Sequence, residues 1–415
     1  MRFSKTLWVA ILGAVTFCKA PCIMAQNLQV IDILDDVRID SMTFFVQQLT
    51  GEQAVNVNGQ ADTIFSRYMG TPGNELAFQF AKKKFMDYGM AVDSLAFGAF
   101  SGKNLLGILV GTQFPEQIVM LGAHYDNLPV SATAPGADDN ASGSAAVLEA
   151  ARVFSGYTFP YTVIFALWDE EEQGLIGSKA YAAYAASNDL EILAYINVDM
   201  LGWDSNDDHV ADIHVRPIAQ SIQLANKAVM ADSLYEIGLG IHVVNPGITA
   251  SDHASFWNEG YTAIAIAEEY DNDFNPFWHT TADSLGQFNL PFYEKVAKLA
   301  FATLGECALG STATGSGEAP AAGSFVATIH PNPSPGIVRL EYSLPFSATV
   351  SISIFDPAGK MVETSTNPDQ PPGNHSTTWE AANFPAGIYL CRWQLTPANP
   401  NAAPVELIKP VILSR

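Results

Sequence analysis

The chain has 415 residues, of which 48% are hydrophobic, and a formal net charge of −23. Its hydrophobic content argues against wholesale disorder, and its length predicts a large α/β domain together with a smaller one. So acidic a surface repels nucleic acid and anionic membranes, whereas it would attract a cationic group such as a free α-amino group.

The first residues predict a cleaved signal peptide. Arg2 and Lys5 precede a short apolar run at 7–18, and the small residue Ala25 offers a cleavage site. This run is too short to span a membrane, and no later stretch is long and apolar enough to do so. We therefore expect residues 1–25 to be removed and the protein to pass through the periplasm, ending secreted or attached to the cell surface.

Residues 26–309 are predicted to form one domain in which strands and helices alternate. The segment 63–89 suggests a helix, a Thr-Pro-Gly turn and a second helix ending at Gly89. Buried apolar strands alternating with helices indicate α/β architecture, with a mostly parallel, mixed sheet sandwiched by helices. The expected strands are 104–111, 117–126, 161–169, 191–200 and 261–269, and the expected helices are 142–154, 175–187, 217–234 and 292–309.

A change of composition follows this domain. Residues 310–324 are small and polar and include Gly and Pro, as in a flexible linker. Residues 325–415 contain short runs of period-two hydrophobicity separated by Pro, Gly and Asn turns. They predict a small C-terminal β-sandwich.

Chemically useful side chains follow the predicted strands of the large domain. Because ligand sites in open α/β sheets lie at the carboxyl ends of strands, we expect these side chains to converge. The candidates are His124 and Asp126 in "GAHYDN", Asp139 in "PGADDNASG", Glu171 and Glu172 in "DEEEQGLIGS", Asp199 in "NVDMLG" and His279 in "FWHTTADSL".

Two imidazoles and three carboxylates make a ligand set suited to two zinc ions. A ligand shared by both ions must be a carboxylate, and Asp139 is the candidate, with Asp138 as a weaker alternative. One further carboxylate in the acidic run could deprotonate a metal-bound water. Asp126 lies two residues after His124 on an extended strand, so it faces the same way and could orient the residues that bind metal without binding metal itself. The set predicts a hydrolase.

Simpler explanations exist for each motif alone. A run of four acids is usually a solvated turn, and a His-x-Asp pair often just ends a strand. His209, His214 and His242 are expected on the surface or in loops, and His253 is not expected to be a ligand. The acidic loops 204–208 and 271–273 suit calcium in residue type, but solvated loops explain them more simply.

These motifs together resemble a known family. Residues 60–308 are similar to the secreted dizinc aminopeptidases related to bacterial leucyl aminopeptidase and aminopeptidase Y, metallopeptidase family twenty-eight. The strings "GAHYDN", "APGADDNASGSAAVLE", "DEEEQGLIGS", "NVDMLG", "SDHASF" and "FNPFWHTTADSL" carry the resemblance. It implies cleavage of peptides that have a free N-terminus, with two zinc ions per chain as cofactors.

The resemblance also implies a role for each site residue. One zinc would be held by His124, Asp139 and Asp199, and the other by Asp139, Glu172 and His279. Glu171 would be the general base and later the acid, and Asp126 would support His124. The same family includes glutaminyl cyclases and non-catalytic receptors, so a cyclase-like aminoacyltransferase and a surface adhesin with structural metals stay open. "GLIGS" directly after the acidic pair favours a peptidase.

The C-terminal region resembles the sorting domain of the type nine secretion system. The strings "PNPSPG", "IFDPAGK" and "PAGIYL" carry this resemblance. It implies that the tail is a partner of the secretion machinery and is removed or exchanged for a surface anchor. A carbohydrate-binding or adhesion sandwich is the alternative.

Overall fold

The computed structural model describes residues 26–98, 102–310, 326–332, 334–344, 347–356, 360–371, 373–397 and 405–414. The predicted signal peptide and nearly all of the predicted linker lie outside these residues. The described residues belong to two compact units that separate within 311–325. Among the described helices, none is both long and apolar enough to cross a membrane.

The first unit is built around an eight-stranded mixed sheet. Its helices are α1 (Leu28–Asp35), α2 (Ile39–Leu49), α3 (Pro72–Asp87), α4 (Gly143–Phe154), α5 (Ile176–Ser187), α6 (Ser221–Leu234), α7 (His253–Asn258) and α8 (Leu290–Ala308). A small hairpin is formed by β1 (Val55–Val57) and β2 (Gln60–Asp62). The strands of the large sheet are β3 (Ala91–Phe97), β4 (Gly102–Leu109), β5 (Phe114–His124), β6 (Tyr161–Trp168), β7 (Glu191–Val198), β8 (Val210–His214), β9 (Gly240–Val244) and β10 (Ala263–Glu268).

The sheet order is β3-β4-β6-β5-β7-β10-β8-β9. Its four central strands, β6, β5, β7 and β10, run parallel, whereas β4 and β8 join them antiparallel. Alternate residues of β6 pack on opposite faces: Trp168 lies against α5 and α7, and Phe165 packs on Phe154 of α4. The predicted mixed α/β sheet covered by helices is confirmed.

The helix predicted before the Thr-Pro-Gly turn was wrong. Pro72 begins α3, and the Thr71 hydroxyl caps it by accepting a hydrogen bond from Asn74 N. Residues 63–70 instead form an irregular segment that folds back on the helix start. A Cβ on Gly73 would lie 2.1 Å from the Ser66 carbonyl oxygen. In this segment the Arg67 side chain turns inward and is completely buried.

The second unit contains only strands among its described residues. β11 (Val326–His330), β12 (Ile337–Leu344) and β15 (Gly373–Glu380) form one antiparallel sheet, and β13 (Ala348–Phe355), β14 (Met361–Gln370), β16 (Gly387–Pro397) and β17 (Val405–Leu413) form another. One hydrophobic core draws residues from both sheets, with Trp379 and Trp393 among the largest. A small β-sandwich was the expected architecture.

The central strands bring the sequence motifs together. β5 ends at His124, β6 at Trp168 and β7 at Val198, and the first two run in the same direction as the third. The acidic run and Asp199 therefore leave the sheet at the same edge as His124.

Candidate metal centre

Two groups of potential ligand atoms share Asp139. In the first group, His124 Nε2 lies 3.2 Å from Asp139 Oδ1 and 3.3 Å from Asp199 Oδ1. In the second, His279 Nε2 lies 3.1 Å from Asp139 Oδ2 and 2.8 Å from Glu172 Oε2. All ligand atoms within each group lie within 4.8 Å of one another. Asp139 thus directs one carboxylate oxygen to each group, which is the geometry required of a bridge.

The chain around Asp139 is unlike a regular helix. Ala137–Ser142 form a wide turn in which Asp139 has φ −106° and ψ 94°, and α4 begins only at Gly143. Gly136, before the turn, has φ +51°, and a Cβ there would lie 2.6 Å from the Asp139 carbonyl oxygen. This backbone points the Asp139 side chain out of the helix start and into the space between His124 and His279.

Asp126 connects the strand that carries His124 to the acidic run. Its Oδ1 accepts a hydrogen bond from Glu171 N at 3.0 Å, and its Oδ2 accepts one from Glu172 N at 3.2 Å. His124 Nδ1 lies 3.2 Å from the Asp126 carbonyl oxygen and 3.5 Å from Oδ1. Asp126 lies just beyond the end of β5, and these contacts place it to orient its neighbours.

Glu171 lies beside the first group without belonging to either. Its Oε2 is 4.0 Å from His124 Nε2, and the residue is 8% exposed. Burial, together with the charges of Asp252 and Asp199, raises the pKa of Glu171 well above its ordinary value, against the opposing effect of His124. A buried carboxyl with a raised pKa is suited to exchanging protons near neutral pH.

Both groups carry an excess of negative charge, which a bound cation would offset. Burial lowers the pKa of His124, but Glu171 and Asp199 outweigh it and leave the value well above normal. Burial likewise lowers the pKa of His279, yet Asp139 and Glu172 raise it to about 9. Burial and Asp139 raise the pKa of Glu172 to about 7. Without a cation, protons are drawn in to offset the clustered carboxylates.

The donor set fits a pair of zinc ions. Each group offers one imidazole nitrogen and two carboxylate oxygens, the donors zinc takes in sites that keep a position open for water or substrate. Glu172 Oε1 is buried and has no hydrogen-bond partner among the described residues, so it has a free lone pair for a cation. The residues present therefore match the cofactor expected from the sequence.

A layer of buried acids beneath Asp139 was not predicted. Asp283 accepts hydrogen bonds from Asp138 N at 2.9 Å and from Asp139 N at 3.1 Å. Burial and the charge of Asp138 raise the pKa of Asp283 to about 8. Asp138 turns away from both groups, accepting from Gly202 N at 2.7 Å and Asn275 Nδ2 at 2.8 Å. It supports the Asp139 turn and lies in neither ligand group.

A second supporting chain ends on Asp199. Trp168 Nε1 donates to Tyr195 OH at 2.7 Å, and Tyr195 OH donates to Asn197 Oδ1 at 2.7 Å. Asn197 Nδ2 donates to Ser251 Oγ at 2.8 Å, and Ser251 Oγ donates to Asp199 Oδ2 at 2.6 Å. Asp199 Oδ2 is thus occupied, and Oδ1 is left to face His124.

A third acidic group, Asp204, Asp207 and His209, also lies within 4.8 Å. The Asn289 amide already donates to Asp204 Oδ2 at 2.8 Å and to Asp207 Oδ1 at 3.0 Å, and Lys295 Nζ lies 2.8 Å from His209 Nδ1. These contacts explain the group without an ion. The 271–273 loop is held similarly, because the Asp273 carboxylate binds Trp203 and Ser205.

The remaining histidines differ partly from expectation. His214 was expected in a loop or on the surface, but it ends β8 and is only 1% exposed, packed beside the Tyr270 ring. That expectation was wrong because β8 and its antiparallel pairing with β10 were not recognised. His253 is also buried, with Nε2 lying 3.0 Å from the Ile248 carbonyl oxygen. It belongs to neither ligand group.

Exposed aromatic rings adjoin the second group. Trp278 stacks on His279 with ring centroids 3.7 Å apart and is 43% exposed. Phe274 contacts Trp278 edge to face at 5.5 Å, and Tyr270 contacts Phe274 at 5.4 Å. This aromatic row, Tyr270, Phe274 and Trp278, gives the centre an apolar border.

Two family models match the chain. Residues 104–304 match the model of Peptidase family M28, and residues 328–397 match that of a secretion system C-terminal sorting domain. All the ligand-group residues fall inside the first match.

Among curated relatives, a probable zinc metalloprotease of Pyrenophora tritici-repentis is 29% identical over 51% of this chain and 52% of its own. A probable leucine aminopeptidase of Trichophyton verrucosum is 29% identical over 51% of this chain and 59% of its own. The chain thus spans between half and three fifths of the length of these two relatives.

Solved structures share the fold of the first unit. The LapA aminopeptidase of Legionella pneumophila superposes with a TM-score of 0.61 at 24% identity, covering 69% of this chain and 76% of its own. The glutaminyl cyclase of Porphyromonas gingivalis superposes with a TM-score of 0.53 at 20% identity, covering 66% and 99%. Both likenesses concern the fold alone, so they do not separate an aminopeptidase from a cyclase.

Proposed function

We propose that this chain, which belongs to peptidase family M28 through residues 104–304 and carries a secretion system C-terminal sorting domain over residues 328–397, is a secreted zinc aminopeptidase. The observation that carries the proposal is the position of the Asp139 carboxylate, which directs one oxygen toward His124 and the other toward His279. The domain limits 26–309 and 325–415, the signal peptide 1–25 and export through the periplasm complete the proposal.

His124, Asp139 and Asp199 would hold one zinc ion, and Asp139, Glu172 and His279 the other. When bound, the two ions would polarise the scissile carbonyl and lower the pKa of a water shared between them. Asp126 would hold His124 and the backbone of Glu171 and Glu172 in fixed relative positions, since its carboxylate and carbonyl contact all three. These assignments follow the residue types and the distances within each group.

Glu171 would be the general base. Its carboxylate borders the first group but is not needed as a ligand, and its raised pKa suits it to accept a proton from the attacking water. The same carboxyl would then donate this proton to the leaving amine. Glu171 thus links water activation to departure of the shortened peptide.

The border of the site favours apolar N-terminal residues. Trp278 and Phe274 expose aromatic surface beside His279, where an aliphatic side chain of the substrate could lose contact with water. Carboxylates around the centre would attract the free α-amino group. Both features point to a peptide end rather than to an internal peptide segment.

The test combines metal analysis with a panel of free and N-acetylated peptides. We expect about two zinc ions per chain, release of N-terminal residues from free peptides, and no cleavage once the amine is acetylated. Cyclisation of an N-terminal glutamine with about one zinc per chain would instead identify a glutaminyl cyclase. Zinc binding without turnover of any peptide would identify a surface protein with structural metals.

Ser251 allows a prediction about the support of Asp199. Ser251→Ala would remove the donor to Asp199 Oδ2 and leave the Asn197 amide without its acceptor. We expect zinc affinity to fall about 10-fold, as for other groups that orient metal ligands, measured by competition with a chromophoric chelator. Ser255→Ala is the matched control, because Ser255 is buried nearby but contacts Ser178 rather than a ligand. Equal affinities for the two variants would contradict the prediction.

A further inference from the structure

Arg67 is a fully buried cation in the irregular segment before α3. Its four guanidinium hydrogen bonds go to main-chain carbonyls, each at 2.7 Å: Nε to Tyr125, Nη1 to Leu49 and Pro135, and Nη2 to Gly136. Among the described residues, it forms no salt bridge within 4.0 Å. A buried guanidinium bound only to neutral groups is costly, so its position calls for an explanation.

The carbonyls that Arg67 binds come from both sides of the proposed metal centre. Tyr125 lies between His124 and Asp126, so one bond holds the backbone that carries these two side chains. Pro135 and Gly136 directly precede the turn that carries Asp139. One planar side chain therefore joins the backbone of one ligand to the backbone of the bridging ligand.

The Arg67 main chain strengthens the same connection. Arg67 N donates to Asn127 Oδ1 at 2.8 Å, and Asn127 Nδ2 donates to the Ala134 carbonyl at 2.6 Å. The loop between Asp126 and Asp139 is thereby fixed near its beginning and near its end. The carboxylates that oppose the effect of burial on Arg67 are those of Asp283, Asp126, Asp139 and Glu172, all around the centre.

We propose that Arg67 is a positioning residue for the metal centre, which sets the separation between His124 and Asp139 through the backbone carbonyls on either side. This inference rests on the proposed zinc site and extends it to a residue outside the matched family segment 104–304. The guanidinium is suited to the task because its fork of donors is rigid, whereas a lysine ammonium bonds from a single nitrogen.

The test is Arg67→Lys, which keeps the charge and removes the fork. We expect its zinc affinity to fall about 10–100-fold, the usual cost of disturbing groups that orient metal ligands. Affinity is measured by chelator competition at a temperature where circular dichroism shows both proteins folded. Thermal unfolding with and without zinc is measured in parallel. We expect the rise in melting temperature on adding zinc to be smaller in the variant than in the parent protein.

Arg152→Lys is the matched control. Arg152 pairs with the buried Glu149 beside α1 and α2, and it contacts no proposed ligand. Its replacement should leave zinc affinity unchanged. If Arg67→Lys lowers the melting temperature equally with and without zinc and leaves zinc affinity unchanged, Arg67 only stabilises the fold and the inference is wrong.

If Arg67→Lys does not fold, zinc binding by the variant Asn127→Ala tests the proposal instead. It keeps the guanidinium and removes only the Asn127 bonds to Arg67 N and Ala134 O. Weaker zinc binding by this variant supports the positioning role, and unchanged binding overturns it. Failure of the parent protein to bind zinc at all would refute the proposed function itself, so the two failures are distinguishable.

Discussion

Replacing Glu171 by glutamine is expected to lower the turnover of aminoacyl anilides by about 10²–10⁴-fold, the usual contribution of a general base. Zinc content should stay at the level of the parent protein. Glutamine has nearly the shape of glutamate but cannot accept a proton from water at neutral pH. Because Glu171 lies outside both ligand groups, its loss should spare the metals. Steady-state kinetics and metal analysis of the same preparation measure both effects.

Neighbouring residues of the acidic run supply matched controls. Glu170→Gln should retain activity, because the Glu170 side chain turns toward Gly98 and Gly102 and away from the ligand groups. A Cβ on Gly102 would lie 2.6 Å from Glu170 Oε1. Glu172→Gln should lose zinc, because Glu172 Oε2 belongs to the second group. Unchanged turnover in Glu171→Gln, or zinc loss equal to that of Glu172→Gln, would contradict the assignment of Glu171 as base.

Replacing Asp139 by asparagine is expected to abolish zinc binding at both positions and, with it, peptide hydrolysis. Asparagine keeps one carbonyl oxygen and exchanges the other for an NH₂ group, which cannot bind a cation. Its side chain is also neutral, so two cations would lose a shared negative charge. The activity loss should be at least as large as that of Glu171→Gln. Equilibrium dialysis followed by metal analysis measures the zinc that remains.

The contrast with Asp199→Asn makes the bridging role testable. Asp199 belongs only to the first group, so its asparagine variant should retain more zinc than Asp139→Asn does. Asp138→Asn is a useful second comparison, since Asp138 lies next to Asp139 but points toward Gly202 and Asn275. If Asp139→Asn and Asp199→Asn keep the same amount of zinc, Asp139 is an ordinary ligand of one ion and not a bridge.

The sequence predicted the parts of the molecule that have local patterns. Apolar runs located five of the eight strands of the large sheet, and the convergence of His124 and Asp199 followed from their places at strand ends. β8 and β9 are short, and their polar residues Asp212, His214 and His242 masked the strand pattern. Helices α1 and α2 were missed although their apolar periodicity is clear in the structure.

The supporting residues had no signal that local reasoning could use. Asp283 meets Asp138 across 145 positions, and Arg67 meets Gly136 across 69. Such contacts depend on how the loops pack, and a single sequence does not specify that packing. Ser251 could have been singled out from "SDHASF", but nothing in that string indicates the hydrogen bond to Asp199. The candidate ligands and Asp126 could therefore be named from local motifs, whereas Asp283, Arg67 and Ser251 could not.

The bond from Arg67 to the Leu49 carbonyl connects the N-terminal helix pair to the proposed metal centre. α2 ends at Leu49, so the first helices reach the segment that steadies the centre. A fragment trimmed to the family match would lack both residues and would leave the buried carbonyls of Tyr125, Pro135 and Gly136 without their donor. A stable form of the first unit is therefore expected to need more of the chain than residues 104–304, the segment by which its family is recognised.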